Sequence, residues 1–177
     1  GGFIQLTGEV GTGKTTLIRA LLEQLPKKIE IALIMHTQIS AEEFLIEICN
    51  ELKIKNSSKS MIEIVNLLNH YLLEQYSDGK RVILLVDEAQ NLKPDVLEQL
   101  RLLTNLETAH KKLLQIILIG QPELRDVLAK NNLRQLAQRV TARYHLEPLS
   151  QLETNLYIDH RLKIAGARTG IFDKLAK

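Results

Sequence analysis

Of 177 residues only one is cysteine, four are proline and none is tryptophan, with three Phe and four Tyr as the whole aromatic set. A lone Cys49 has no partner for an internal disulfide, so the fold must rest on its apolar core, and a reducing compartment is expected. Its setting, Phe44-Leu45-Ile46-Glu47-Ile48-Cys49, is an apolar helical pattern and reads as a buried structural thiol rather than a nucleophile. Scarce aromatics leave no stacking platform for nucleic acid, which is not expected as a partner. An excess of one charge is lacking too: 23 basic and 21 acidic residues give +2, so any polyanion surface would have to be local. No apolar run approaches the roughly 18 residues that span a bilayer, and no signal peptide is visible. His36, His70, His110, His145 and His160 are scattered without metal-ligand spacing. An initiator Met is missing as well. Gly1-Gly2 stands directly before the first apolar segment, as expected of an excised fragment whose targeting or membrane segments lie outside it. What remains, 45% apolar and 25% charged, is an ordinary globular composition at the size of one domain and the start of another.

Against that background GEVGTGKT, Gly8 to Thr15, fills every fixed position of G-x-x-x-x-G-K-[ST]. A loop that wraps a polyphosphate must bring backbone N–H groups close to it. Gly8, Gly11 and Gly13 remove the side chains that would obstruct this and permit positive φ. Lys14 is then placed for the β- and γ-phosphates and the Thr15 hydroxyl for Mg²⁺. An apolar strand over Phe3–Leu6 precedes the loop, and a helix over Thr16–Leu22 follows, adding its positive end beneath the phosphates. The expected nucleotide-binding stretch is Gly8, Glu9, Val10, Gly11, Thr12, Gly13, Lys14, Thr15 and Thr16.

Downstream, strands alternate with helices. Apolar strands are predicted at Ile29–Met35, Val82–Val86 and Leu113–Ile119, with a fifth at Arg143–Glu147. Helices are predicted from Ser40 to about Leu52, over Ile62–Leu73, from Pro94 to about Glu107, from Pro122 to Ala129, near Leu133–Gln138, and from Ser150 to about Ala165. This order implies an α/β domain with a parallel sheet and right-handed crossovers.

The third strand ends in Asp87-Glu88. Two carboxylates after a buried apolar strand are a costly placement unless they work at the strand's C-terminal edge, where ligands sit in open α/β sheets. Asp87 is the candidate Mg²⁺ holder beside Thr15, and Glu88 the group that orients or deprotonates an attacking water. Gln121, just past the fourth strand, suits contact with the γ-phosphate or that water. Arg139 and Arg143 are four apart and could offer guanidinium groups to a nucleotide on a neighbouring subunit, although these residues by themselves favour ordinary ion pairs at a solvated helix end. Arg125 and Arg134 read as surface charges.

Taken together, GEVGTGKTTL, VILLVDEAQNL, LEQLRLLTNLET, KLLQIILIGQPEL and LRQLAQRVTARYHLEPLS resemble the AAA+ ATPases, and within them the family of general secretion pathway protein A and related pilus-biogenesis ATPases. The resemblance runs from residue 3 to about 166. It implies a three-layer αβα P-loop NTPase with sheet order 5-1-4-3-2, a nucleotide-binding core over 1–149 and the start of a helical lid over 150–177. It further implies ATP with Mg²⁺ and a homo-oligomer. Lys14 and Thr15 take Walker A roles, Asp87 and Glu88 Walker B roles, Gln121 the sensor 1 position, and Arg139 the trans arginine finger with Arg143 second. By the same resemblance the chain is a cytoplasmic ATPase domain of a bacterial inner-membrane protein. It would serve a secretion or pilus machine, with membrane contact only through segments outside this chain. The lid's sensor 2 arginine and the segment beside the adenine would also lie outside it. Two other readings stay open: a DNA-associated regulator of the transposition-ATPase type, and a nucleotide-gated interaction module with negligible turnover.

Overall fold

The computed structural model describes residues 2–26, 28–58, 60–108 and 111–166, so His110 and residues 167–177 lie outside the described residues. Two compact units divide after Leu146. The first is built on five parallel strands, β1 Phe3–Gly8, β2 Ile29–Ile34, β3 Arg81–Val86, β4 Leu114–Gly120 and β5 Val140–Leu146, in the order β2-β3-β4-β1-β5. This is the expected order read from the other edge. It puts β1, with the phosphate-loop sequence at its end, between β4 and β5.

Alternation along the strands separates two faces. Phe3, Ala32, Ile34, Val82, Leu84, Val86, Leu114, Ile116 and Leu118 belong to the main core. That core is completed from helices α2 Ala41–Glu51, α3 Met61–Ser77, α4 Pro94–Leu103, α5 Glu123–Ala129 and α6 Arg134–Ala137, which follow one another along one side of the sheet. On the other face a smaller cluster joins Ile18 of α1, Lys14–Gln24, to Leu85 and Ile119. Beside α1 an apolar hollow of about 460 Å³ is lined by Leu6, Leu17, Leu21, Ile83 and Ile117, so the two helical layers are unequal.

Several boundaries differ from the predicted ones for physical reasons. Helix α4 stops at Leu103, not near Glu107, because its end is capped. The Thr104 hydroxyl and the Arg139 guanidinium both donate to the Arg101 carbonyl, at 2.6 and 3.3 Å. Strand β5 begins at Val140, three residues early, because Val140 is buried and registers with Phe3 at the start of β1. Helix α2 starts as its sequence requires, in a capping box: Ser40 N–H donates to Glu43 Oε2 at 2.7 Å, and Glu43 N–H to Ser40 Oγ at 3.2 Å. The second unit carries α7, Gln151–Ile164, capped in the same way by Ser150 and Glu153.

Cys49 lies within α2 with no solvent exposure, and burial pushes its thiol up to about 11. Almost no thiolate then exists near neutrality. Native protein is expected to label with maleimide only as fast as it unfolds, and denatured protein at once. Rapid labelling of the native form would show that α2 is not packed this way.

Candidate active site

The C-terminal ends of β1, β3 and β4 carry the groups that the sequence singled out. After β1 the backbone turns through Gly11 (φ 83°) and Gly13 (φ 88°), left-handed values that a side chain would strain. A Cβ on Gly8 would press to 2.8 Å on both the Leu146 carbonyl and the Thr12 hydroxyl. Gly13 occupies the N-cap of α1 and has no side chain to offer, so the first-turn amides of this helix are left for an anion. Lys14 is 8% exposed and donates through Nζ to the carbonyls of Gly8 and Glu9, at 2.7 and 2.8 Å. The ammonium thus lies within the loop's own ring of backbone. A polyphosphate fits this cradle by charge and by amide supply.

Loop and third strand meet at Thr15, whose hydroxyl donates to Asp87 Oδ2 at 3.2 Å. The other oxygen, Oδ1, accepts the Glu88 N–H at 2.9 Å. A hydroxyl and one carboxylate are hard oxygen donors of the kind Mg²⁺ takes when phosphates and waters complete its shell. Among the described residues no group of three His, Cys, Asp or Glu side chains gathers as a metal site. That donor set suits Mg²⁺ and leaves zinc or iron without enough ligands.

Glu88 itself has φ 49° and ψ 38°, left-handed for a residue with a side chain, a conformation that costs about 1–2 kcal/mol. The strain is held by the bond to Asp87 and by Asn91 N–H on the Glu88 carbonyl at 2.9 Å. It turns the carboxyl toward β4, where Gln121 Nε2 donates to Glu88 Oε2 at 3.4 Å. Thus Lys14, Thr15, Asp87, Glu88 and Gln121 share one edge of the sheet.

Two further residues belong to this edge although the sequence reading gives neither a role in the site. Gln90 Nε2 donates to the same Glu88 Oε2 at 2.5 Å, and its Oε1 accepts the Gln121 N–H at 3.1 Å. Arg125, predicted as a surface charge, donates through Nη2 to Thr7 Oγ1 at 3.2 Å. Thr7 is 1% exposed, directly before Gly8, and its hydroxyl also lies 3.0 Å from His145 Nδ1. Arg125 therefore ties α5 to the base of the loop. The Arg125 pairing has no local signal, since Arg125 and Thr7 are 118 positions apart.

The two candidate arginines sit elsewhere. Leu146 registers with Gly8 beside the loop, and Val140 with Phe3 at the opposite end of β1. Six residue steps along β5 separate them, roughly 20 Å. Arg139 precedes Val140 and caps α4 of its own chain through Arg101 O, Thr104 Oγ1 and Asn105 Oδ1, the last at 2.7 Å. Arg143 is exposed in mid-strand and donates to the Ala137 carbonyl at 3.1 Å, away from the loop. The structure does not bring either one to its own chain's loop.

The protein family described as AAA domain matches residues 1–128. The chain belongs to the AAA domain family. It is also 53% identical over 173 residues to general secretion pathway protein A of Aeromonas hydrophila, covering 97% of this chain and 32% of that protein. The chain thus spans about a third of the length of this curated relative. Solved structures with the same AAA fold include Cdc6p from Pyrobaculum aerophilum, with TM-score 0.69, 21% identity, and coverage of 92% of this chain and 43% of that one. The ADP form of Aeropyrum pernix ORC2 aligns at TM-score 0.71 and 15% identity, over 97% of this chain and 48% of that one. Drosophila ORC bound to DNA aligns at 0.68 and 20%, over 92% and 42%. At these identities the likeness is one of fold, and it agrees with the β2-β3-β4-β1-β5 sheet. No helix among the described residues of this AAA domain is long and apolar enough to cross a membrane.

Proposed function

We infer that this AAA domain binds and hydrolyses MgATP to drive or switch a bacterial secretion or pilus machine at the inner membrane. The Thr15–Asp87 bond carries the reading, because it joins the loop to the carboxylate pair at the sheet edge where Gln121 also arrives. Lys14 and the amides of Gly11 to Thr16 would take the β- and γ-phosphates. Thr15 and Asp87 would hold Mg²⁺, which supplies neutralising charge for the transferred phosphoryl group. Glu88, fixed in its left-handed conformation, accepts the proton of the attacking water or orients it. Gln121 reports on the γ-phosphate through its amide. Arg139, with Arg143 behind it, serves the site of the next subunit in a homo-oligomer.

The distance along β5 supports the trans assignment, since a side chain reaching about 7 Å cannot cross roughly 20 Å of strand. Secretion enters through the similarity to general secretion pathway protein A, and residues 150–177 would be the start of the helical lid. Lys14→Ala is expected to abolish binding of a fluorescent ATP analogue at concentrations that saturate the unsubstituted protein. Unchanged affinity in that variant would remove the loop from the ligand site.

A further inference from the structure

We propose that Gln90 is a positioning residue that clamps the Glu88 carboxylate and ties it to the Gln121 backbone. The role rests on Glu88 being the group that activates water. Both ends of the Gln90 amide are used. Its Nε2 donates to Glu88 Oε2 at 2.5 Å, and its Oε1 accepts the Gln121 N–H at 3.1 Å. An amide satisfied in this way has one favoured orientation, so it forms a fixed bridge from the acid after β3 to the residue after β4.

The consequence for Glu88 is geometric. Gln90 and Gln121 both donate to Oε2, which leaves Oε1 as the oxygen to meet a water. A glutamate side chain with three rotatable bonds would otherwise sample many positions, and reaction rates fall steeply when a reacting group is misplaced. The short turn Ala89–Asn91 holds Gln90 in place, and Ala89 is fully buried beneath it.

Gly120 supplies an independent mark of the same clamp. A Cβ at this position would collide with Gln90 Oε1 and approach Leu124 Cδ2 to 3.3 Å. Its backbone needs no left-handed φ. The missing side chain at the end of β4 therefore makes room for the Gln90 amide, and not for an unusual turn. Any side chain there pushes Gln90 off both partners.

The test is single-turnover ATP hydrolysis by the full-length protein, with ATP-analogue affinity and melting temperature measured alongside. Gln90→Met keeps length and volume but cannot donate or accept as the amide does. It is expected to lower the hydrolysis rate about 10- to 100-fold with affinity and melting temperature unchanged. Gly120→Ala is expected to give the same defect, and to add nothing in a Gln90→Ala background. In a Glu88→Gln background Gln90→Met should cause no further loss. Normal turnover of Gln90→Met beside an inactive Glu88→Gln overturns the clamp alone. Normal turnover of Glu88→Gln overturns the clamp and the reading of Glu88 together. Loss of affinity or stability in parallel with rate, persisting in the Glu88→Gln background, also overturns the clamp and leaves Gln90 a loop brace.

Discussion

Glu88→Gln is expected to slow single-turnover ATP hydrolysis about 10²- to 10⁴-fold while ATP binding survives. The amide is nearly the same size as the carboxylate, so the left-handed turn at Glu88 and the bond from its N–H to Asp87 Oδ1 need not change. What goes is the capacity to accept a proton. The phosphate cradle and the Thr15–Asp87 pair lie on neighbouring atoms that the substitution leaves alone. Binding and turnover should therefore separate cleanly. A variant that both binds and hydrolyses normally would move the water-activating role off Glu88.

Arg139→Ala is expected to produce two losses that different measurements resolve. In the assembled protein, turnover should fall about 10³- to 10⁵-fold, the range for an arginine that stabilises phosphoryl transfer from a neighbour. Within each chain, α4 loses the guanidinium that bonds Arg101 O, Thr104 Oγ1 and Asn105 Oδ1. With Arg139 partly buried, that cap is worth about 1 kcal/mol. Neighbouring charge supports the cap: the Glu98 carboxylate is held below its ordinary value first by its bond from Arg101, with Arg139 adding a smaller share. A melting curve reads the second loss and phosphate release the first. A stability loss without a rate loss would make Arg139 a structural residue only. Arg143→Ala, at an exposed position with one bond to Ala137 O, should affect both less.

The parts of the site that were legible in the sequence are those encoded by short local patterns. The loop declared itself because its glycines, Lys14 and Thr15 must stand at fixed offsets between a strand and a helix. Asp87 and Glu88 stood out as charges after an apolar run, and Gln121 as the polar residue following another. Strand positions were legible for the same reason, since a sheet core tolerates little but apolar residues. Helix and strand ends were less legible where tertiary bonds decide them. The early stop of α4 depends on Arg139 arriving from 35 residues away to meet Thr104. Gln90 and Arg125 are polar residues in ordinary turn and helix positions. Only the folded chain shows that one reaches Glu88 and the other Thr7.

On the proposed reading one ATP site is the joint property of two chains, with the loop and carboxylates on one and the arginine on the next. Mixing Lys14→Ala subunits with Arg139→Ala subunits tests this most directly. Each variant alone should be inactive, the first without its cradle and the second without its arginine. In mixed assemblies the intact Arg139 of the first meets the intact loop of the second, and a fraction of phosphate release should return. A mixture that co-assembles by size and stays inactive would contradict a site shared in this way.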